Sequence, residues 1–94
     1  MTAYWIVHVT VTDDAKYAEY VKRSGPALEQ FGGRFLARGG ICVTKEGREH
    51  ARNVIVEFPS YEDAIACYES ADYRAAMSYQ TEAAERDLCI VEGV

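Results

Sequence analysis

No run of basic residues, no apolar stretch longer than a few residues and no Cys-x-x-Cys occurs in this sequence. Each absence removes a class of function. Nucleic acids and anionic membranes attract basic patches. Here the ten Lys and Arg residues are scattered and the formal net charge is −5, so neither partner is expected. A bilayer span needs about 20 consecutive apolar residues, and nothing approaches that. Cys42, Cys67 and Cys89 are odd in number and widely spaced, which reads as reduced thiols rather than a disulfide framework. The only histidines, His8 and His50, lie far apart, and no His/Cys/carboxylate cluster has ligand spacing; no metal and no cofactor are expected. Gly-x-Ser-x-Gly and the glycine-rich phosphate-loop patterns are missing, which leaves Ser24, Ser60 and Ser70 as helix caps rather than nucleophiles. The start of the chain lacks the basic-then-apolar order of a signal peptide, and a cytoplasmic location is expected.

What is present suits one domain over residues 1–94, 49% hydrophobic and thus rich enough in apolar side chains to fold. Seven tyrosines supply polar tips on apolar bodies, which suit half-buried sites, cavities and interfaces. Residues 4–11 are β-branched or aromatic almost throughout and give the strongest strand signal. Period two puts Trp5, Val7, Val9 and Val11 on one face and Tyr4, Ile6, His8 and Thr10 on the other. Thr12-Asp13-Asp14 caps a helix with Tyr17, Tyr20, Val21, Leu28 and Phe31 on its buried stripe. Gly25-Pro26 predicts a kink or restart, with Ser24 or Gly25 as a second cap, and Gly32-Gly33 ends the helix. Arg34–Arg38 reads as a strand broken at Gly39-Gly40 by a bulge or bend and resumed over Ile41–Lys45. Residues 46–51 form a polar hairpin loop in which His50 is expected to be solvated. Arg52–Phe58 is the third strand. Ser60-x-x-Asp63 resembles a capping box before a helix with Tyr61, Ala64, Ile65 and Tyr68 inside. Ser70-Ala71-Asp72 marks a break, a further helix runs from Tyr73 to about Glu85, and residues 88–92 close the chain as a strand.

The order βαββαβ is α+β and ferredoxin-like: a four-stranded antiparallel sheet with its helices on one face. Ile6, Ile55 and several tyrosines leave the other face apolar as well. Exposing a whole apolar sheet face is costly at roughly 25 cal/mol per Å², so a homodimer packed face to face is expected.

Several segments together carry a family resemblance. They are Tyr4-Trp5-Ile6 with His8-Val9, Tyr17-x-x-Tyr20, Gly32-Gly33-Arg34-Phe35-Leu36-Ala37-Arg38-Gly39-Gly40, Glu57-Phe58-Pro59-Ser60, Ala64…Tyr68 with Ser70-x-x-Tyr73, and residues 87–93. Across nearly the whole chain the sequence resembles the bacterial domain-of-unknown-function family 1330. That resemblance implies the dimeric α/β-barrel superfamily, in which two ferredoxin-like halves pack sheet to sheet. The superfamily includes cofactorless monooxygenases, lactone isomerases, haem-dependent enzymes and domains without known activity. The family itself implies no reaction.

Three residues are the candidates for chemistry. His8 sits mid-strand as a base or proton donor near neutral pH, or as a histidine satisfied by a carbonyl or tyrosine hydroxyl. Arg34 and Arg38, expected to share a face with Leu36 at i, i+2 and i+4, offer a guanidinium clamp for a carboxylate or enolate oxygen; an ion pair with Glu57 or with a carboxylate of the other subunit is the structural alternative. Glu57 is an ionisable group in an apolar strand, either an acid–base partner or half of that pair. Gly39 and Gly40 can turn backbone N–H groups toward an anion. Trp5, Tyr17, Tyr20, Tyr68 and Tyr79 are candidates to line a pocket for a flat organic ligand; ordinary helix-to-sheet core is the alternative for all but Tyr79. The expectation is a protein that binds or converts a small carboxylate- or enol-bearing metabolite by cofactorless proton transfer. The alternative is a non-catalytic dimer in which His8, Arg38 and Glu57 form a structural network. Haem binding has only His8 as an axial ligand and is the weakest reading.

Overall fold

The computed structural model describes all of residues 1–94. Strand β1 (Ala3–Val11) is followed by helix α1 (Asp14–Gln30), strands β2 (Arg34–Arg38) and β3 (Arg52–Phe58), helices α2 (Tyr61–Glu69) and α3 (Ala71–Gln80), and strand β4 (Ala84–Glu92). The sheet order is β2-β3-β1-β4, with every neighbouring pair antiparallel. This is the expected ferredoxin-like α+β arrangement.

Burial settles which face of β1 meets the helices. Ala3, Trp5, Val7 and Val9 are buried together with Val54, Val56 and Phe58 of β3, and α1 and α2 add Tyr17, Tyr20, Leu28, Ala64 and Cys67. Trp5 anchors this layer: its indole N–H donates to the Ala64 carbonyl of α2 at 3.0 Å, and its ring packs on Phe58 and Tyr73. Tyr4, Ile6, His8, Ile55 and Glu57 alternate onto the opposite face, which no helix covers.

The caps follow the sequence closely. Asp13 accepts the Lys16 amide at the start of α1. Gly32, at φ +77, ends that helix with the paired bonds Gly32 N–H to Glu29 O and Gly33 N–H to Leu28 O, a left-handed stop that glycine adopts without a Cβ penalty. Ser60 accepts the Asp63 amide, and its hydroxyl donates to the Asp63 carboxylate, so the N-cap half of the expected capping box is formed while the return bond comes from the hydroxyl rather than the Ser60 N–H. Ser70 ends α2 and begins α3.

Five expectations need correction. The helix α1 runs through Pro26 without a restart, and Ser24 is no cap; it is buried mid-helix, its hydroxyl near the Val21 carbonyl. Residues 41–45 form no strand. Their β-branched composition finds no neighbouring strand within the protomer, and Ile41 and Val43 stand exposed. The bulge lies three residues before the glycine pair, at Leu36: Phe35 pairs with Val56 and Ala37 with Ile55. Tyr61 is exposed, and Cys67 takes the inner position of α2 instead. The last helix stops at Gln80 and β4 starts at Ala84. Ala83-Ala84-Glu85 reads as helix by propensity, but pairing with β1 across nine positions outweighs it.

Candidate functional site

The bulge at Leu36 decides where the arginines of β2 point. Without it, Arg34 and Arg38 would share a face, because they lie four positions apart on a period of two. One extra residue inverts the alternation beyond it. Arg34 therefore lies opposite Glu57 on the uncovered face, whereas Arg38 lies opposite Val54 on the helix side.

On the helix side, Arg38 borders a cleft between α1 and the sheet. Its guanidinium stacks on the Phe35 ring at 4.3 Å. Arg52 of β3 and Arg86 of β4 are both register partners of Val9, so they bracket that residue and also line the cleft. The remaining walls are mainly apolar: Trp5, Val54, Val56 and Leu28, with Tyr17 and Tyr20 from α1. The cleft has a cavity volume of about 30 Å³, room for a single water, so a larger ligand enters only as side chains at its mouth give way. It is narrow, and Arg38 at its mouth is exposed.

No carboxylate pairs with any of these three arginines; the ion pairs of the protein all involve other residues. The Nε atoms of Arg52 and Arg86 are buried without an acceptor. Arg86 donates from Nη1 to the Tyr20 hydroxyl oxygen at 2.9 Å and from Nη2 to that of Tyr73 at 3.1 Å. The two hydroxyls are 2.7 Å apart. Burial works against the charge of Arg86, but the Tyr20 and Tyr73 oxygens more than offset it, so the guanidinium is held cationic. Burial, reinforced by Tyr20, pushes both Tyr17 and Tyr73 above the ordinary tyrosine range. These two phenols keep their protons at neutral pH. The result is a cationic cleft lined by tyrosines and apolar side chains, a combination that suits an organic anion.

The uncovered face has different chemistry. Arg34 donates to Glu57 at 3.0 Å, the ion pair that the sequence offers as the structural alternative. His8 is exposed; its Nδ1 lies 2.7 Å from the Asn53 side-chain oxygen and its ring stacks on His50. His50 is not solvated, contrary to expectation. It is 7% exposed, with Nδ1 2.8 Å from the Thr10 hydroxyl and Nε2 3.3 Å from an Asp87 oxygen, off line for a hydrogen bond.

His8 and Glu57 thus share a face with Arg34, and the sheet separates all three from Arg38. The other candidates also disperse. Gly39, at φ +73, packs against the Arg52 guanidinium and donates its N–H to the Asn53 carbonyl. Gly40 borders a hollow beside His8 and Ile55 on the uncovered face. Tyr68 is half-buried against Trp5 and Tyr73, and Tyr79 lies under Arg23; neither lines the cleft.

A family model described as domain of unknown function (DUF1330) matches residues 2–94. The chain belongs to the DUF1330 family. No curated protein matches it in sequence. Among solved structures, the DUF1330 chain is similar to RPA0582, a protein of unknown function from Rhodopseudomonas palustris. That match has a TM-score of 0.80 and 21% identity, and covers 99% of this chain and 82% of that one. It is also similar to SnoaB, a cofactor-independent oxygenase from Streptomyces nogalater, with a TM-score of 0.67, 8% identity and coverage of 99% and 93%. A dimeric ferredoxin-like protein of unknown function from Thermobifida fusca matches with a TM-score of 0.58, 15% identity and coverage of 99% and 92%. At these identities the likeness establishes the fold that the DUF1330 chain shares with them.

Sequence reasoning missed two members of the cleft. Arg52 sits at a loop-to-strand boundary, and Arg86 falls between the expected end of the last helix and the expected start of the last strand. One signal was available for Arg52: with Val54, Val56 and Phe58 it shares the alternation of β3's inner face.

Proposed function

We propose that the DUF1330 chain binds a small organic anion, carrying a carboxylate or an enol, in the cleft between α1 and the sheet. One observation carries this reading. Three arginines line a cleft that contains no carboxylate, and two of them carry a buried Nε without an acceptor. A fold gains nothing from like charges held together without counter-ions; a ligand that supplies the negative charge gives the arrangement a purpose. Arg38 and Arg52 hold the carboxylate near the mouth, and the half-buried Phe35 ring offers a flat surface beside it.

Conversion of such an acid by cofactorless proton transfer is the finer part of the proposal. Arginines stabilise an enolate oxygen, and a neutral tyrosine hydroxyl exchanges a proton with it. The likeness to a cofactor-independent oxygenase supports this by analogy of fold alone. His8 and Glu57 act elsewhere in this reading. The Arg34–Glu57 pair and the His8–Asn53 contact favour a structural role for them on the uncovered face.

That face is proposed to meet a second copy of the chain. Ile6, Ile55 and Cys89 line it, Leu36 and Val91 at its borders are exposed, and Ile41 and Val43 project from the loop beside it. Dimeric proteins among the structural neighbours support the same arrangement.

The test is a thermal-shift screen of aromatic and enolisable carboxylic acids on wild type and Arg52→Met. A ligand of the native state raises the midpoint by mass action. At least one acid is expected to raise it in wild type and to lose that effect in the variant. A screen in which acids and their uncharged amides behave alike would sink the proposal.

A further inference from the structure

The hydroxyl pair beneath the cleft has only one satisfactory arrangement of protons. Tyr73 is 0% exposed, and its hydroxyl has two neighbours within hydrogen-bond distance, Arg86 Nη2 and the Tyr20 oxygen. Arginine only donates. The Tyr20 oxygen is therefore the sole acceptor for the Tyr73 proton. The reverse arrangement, Tyr20 donating to Tyr73, would strand the Tyr73 proton in the interior, at the full desolvation penalty of an unpaired donor. With Tyr73 donating to Tyr20, and Arg86 donating to both oxygens, the Tyr20 proton has no acceptor within the protein. Tyr20 lines the cleft. Its proton is thus left free for an acceptor in the cleft.

Resting on the reading of the cleft as an anion site, we propose that Tyr20 is the hydrogen-bond donor to a second oxygen on the ligand. That oxygen lies at the end of the molecule away from the carboxylate held by Arg52 and Arg38. Arg52 and Arg86 flank Val9 on opposite neighbouring strands, so the carboxylate end and the Tyr20 end of the site are held by different strands. The ligand class is a flat acid with oxygens at both ends, such as a phenolic or enolic carboxylate. Tyr20 is poised for the role because two donors, Tyr73 and Arg86, already point at its oxygen. They polarise the O–H and stabilise charge that develops on the phenol if the proton moves toward an enolate. The upward displacement of the Tyr73 pKa, caused first by burial, agrees with a Tyr73 that keeps and donates its proton.

The test has two arms. Proton NMR of protein carrying isotope-labelled tyrosine, in water and without ligand, is expected to show a protected hydroxyl proton on Tyr73 and none on Tyr20. Labelling assigns the signal in wild type, so the result does not depend on a variant that folds. A protected proton on Tyr20, or none on either residue, overturns the proposed orientation. In the second arm, 4-hydroxybenzoate and benzoate are titrated by calorimetry into wild type and Tyr20→Phe. The hydroxy acid is expected to bind wild type about fivefold more tightly, as one neutral hydrogen bond allows, and the two acids to bind Tyr20→Phe alike. Equal binding of both acids to wild type overturns the assignment of Tyr20 while leaving the anion cleft standing. Binding of neither acid sinks the anion cleft and this inference with it.

Discussion

Arg52→Met separates a functional arginine from a structural one, because the two roles give opposite signs. Methionine keeps most of the side-chain length and the packing beside Tyr17 and Gly39, and removes the charge and all five N–H donors. Arg52 has no ion pair to lose, and its Nε is buried without an acceptor. Leaving such a donor unpaired costs about 1–3 kcal/mol when fully buried; Arg52 is only half-buried, so relief of about 1 kcal/mol is the reasonable share. Repulsion from Arg38 and Arg86 adds about 0.5 kcal/mol after solvent screening. Against this stands the contact of the guanidinium with the Tyr17 ring at 5.9 Å, worth about 0.5 kcal/mol at a half-exposed site. The balance is about 1 kcal/mol in favour of the variant, which for a domain of this size raises the midpoint by about 4–8 °C.

Equilibrium urea unfolding followed by tryptophan fluorescence reads this directly, since Trp5 is the sole tryptophan and lies in the core. The variant is expected to unfold at higher urea with an unchanged slope, and to lose the midpoint shift that carboxylic acids give wild type. Stability and binding would move in opposite directions, the signature of a residue kept for a ligand at the expense of the fold. A variant destabilised by 1 kcal/mol or more would refute the reasoning, since Arg52 would then hold the structure together.

Gly39→Ala should weaken the same site indirectly. Its Cβ would meet Arg52 Nη1 at 2.8 Å and its φ is +73; a stability loss of about 1–2 kcal/mol and weaker acid binding are expected in denaturation and titration. Cys67 gives a pH dependence. Burial pushes its thiol from 9.0 up to about 12, so the native state retains a proton that the unfolded chain has lost. Its contribution to stability is whole below pH 9 and fades as pH rises toward 12. The stability gap between wild type and Cys67→Ala should therefore narrow from pH 8 to pH 11, and a constant gap would contradict that displacement. Light scattering at micromolar concentration should give a mass near twice 10.5 kDa; a stable monomer would remove the proposed role of the uncovered face.

The fold was readable because its signals are local and redundant. The alternation of β1, the Asp13 and Ser60 caps and the Gly32-Gly33 stop each depend on a few adjacent residues, and each appears in the structure. The site depends on relations that no single segment contains. Arg38 was found, yet its face was not, because a strand of five residues carries no mark of which one bulges. His50 looked like a loop residue in a polar segment, but β1 and β4 supply Thr10 and Asp87 as its neighbours, and those contacts are invisible from position 50. Ile41–Lys45 carries a strand composition without a strand to pair with, so propensity there misleads within one protomer.

The bulge explains why the cleft exists at all. β2 is an edge strand in a sheet one of whose faces is uncovered, and an unbroken β2 would place Arg34, Leu36 and Arg38 together on that face. Arg38 would then stand opposite the row that holds Glu57, and its charge would be absorbed into the same kind of pair that Arg34 makes. Leu36 as an extra residue splits the two arginines. Arg34 remains with Glu57, and Arg38 turns to join Arg52 and Arg86 on the helix side, where no carboxylate exists to neutralise it. A single inserted position thus sets the charge balance of both faces. It leaves the uncovered face nearly neutral at its β2 edge, as packing against another sheet requires, and it gathers the unpaired cations on the helix side, from the buried end of Arg86 to the exposed Arg38 at the mouth of the cleft.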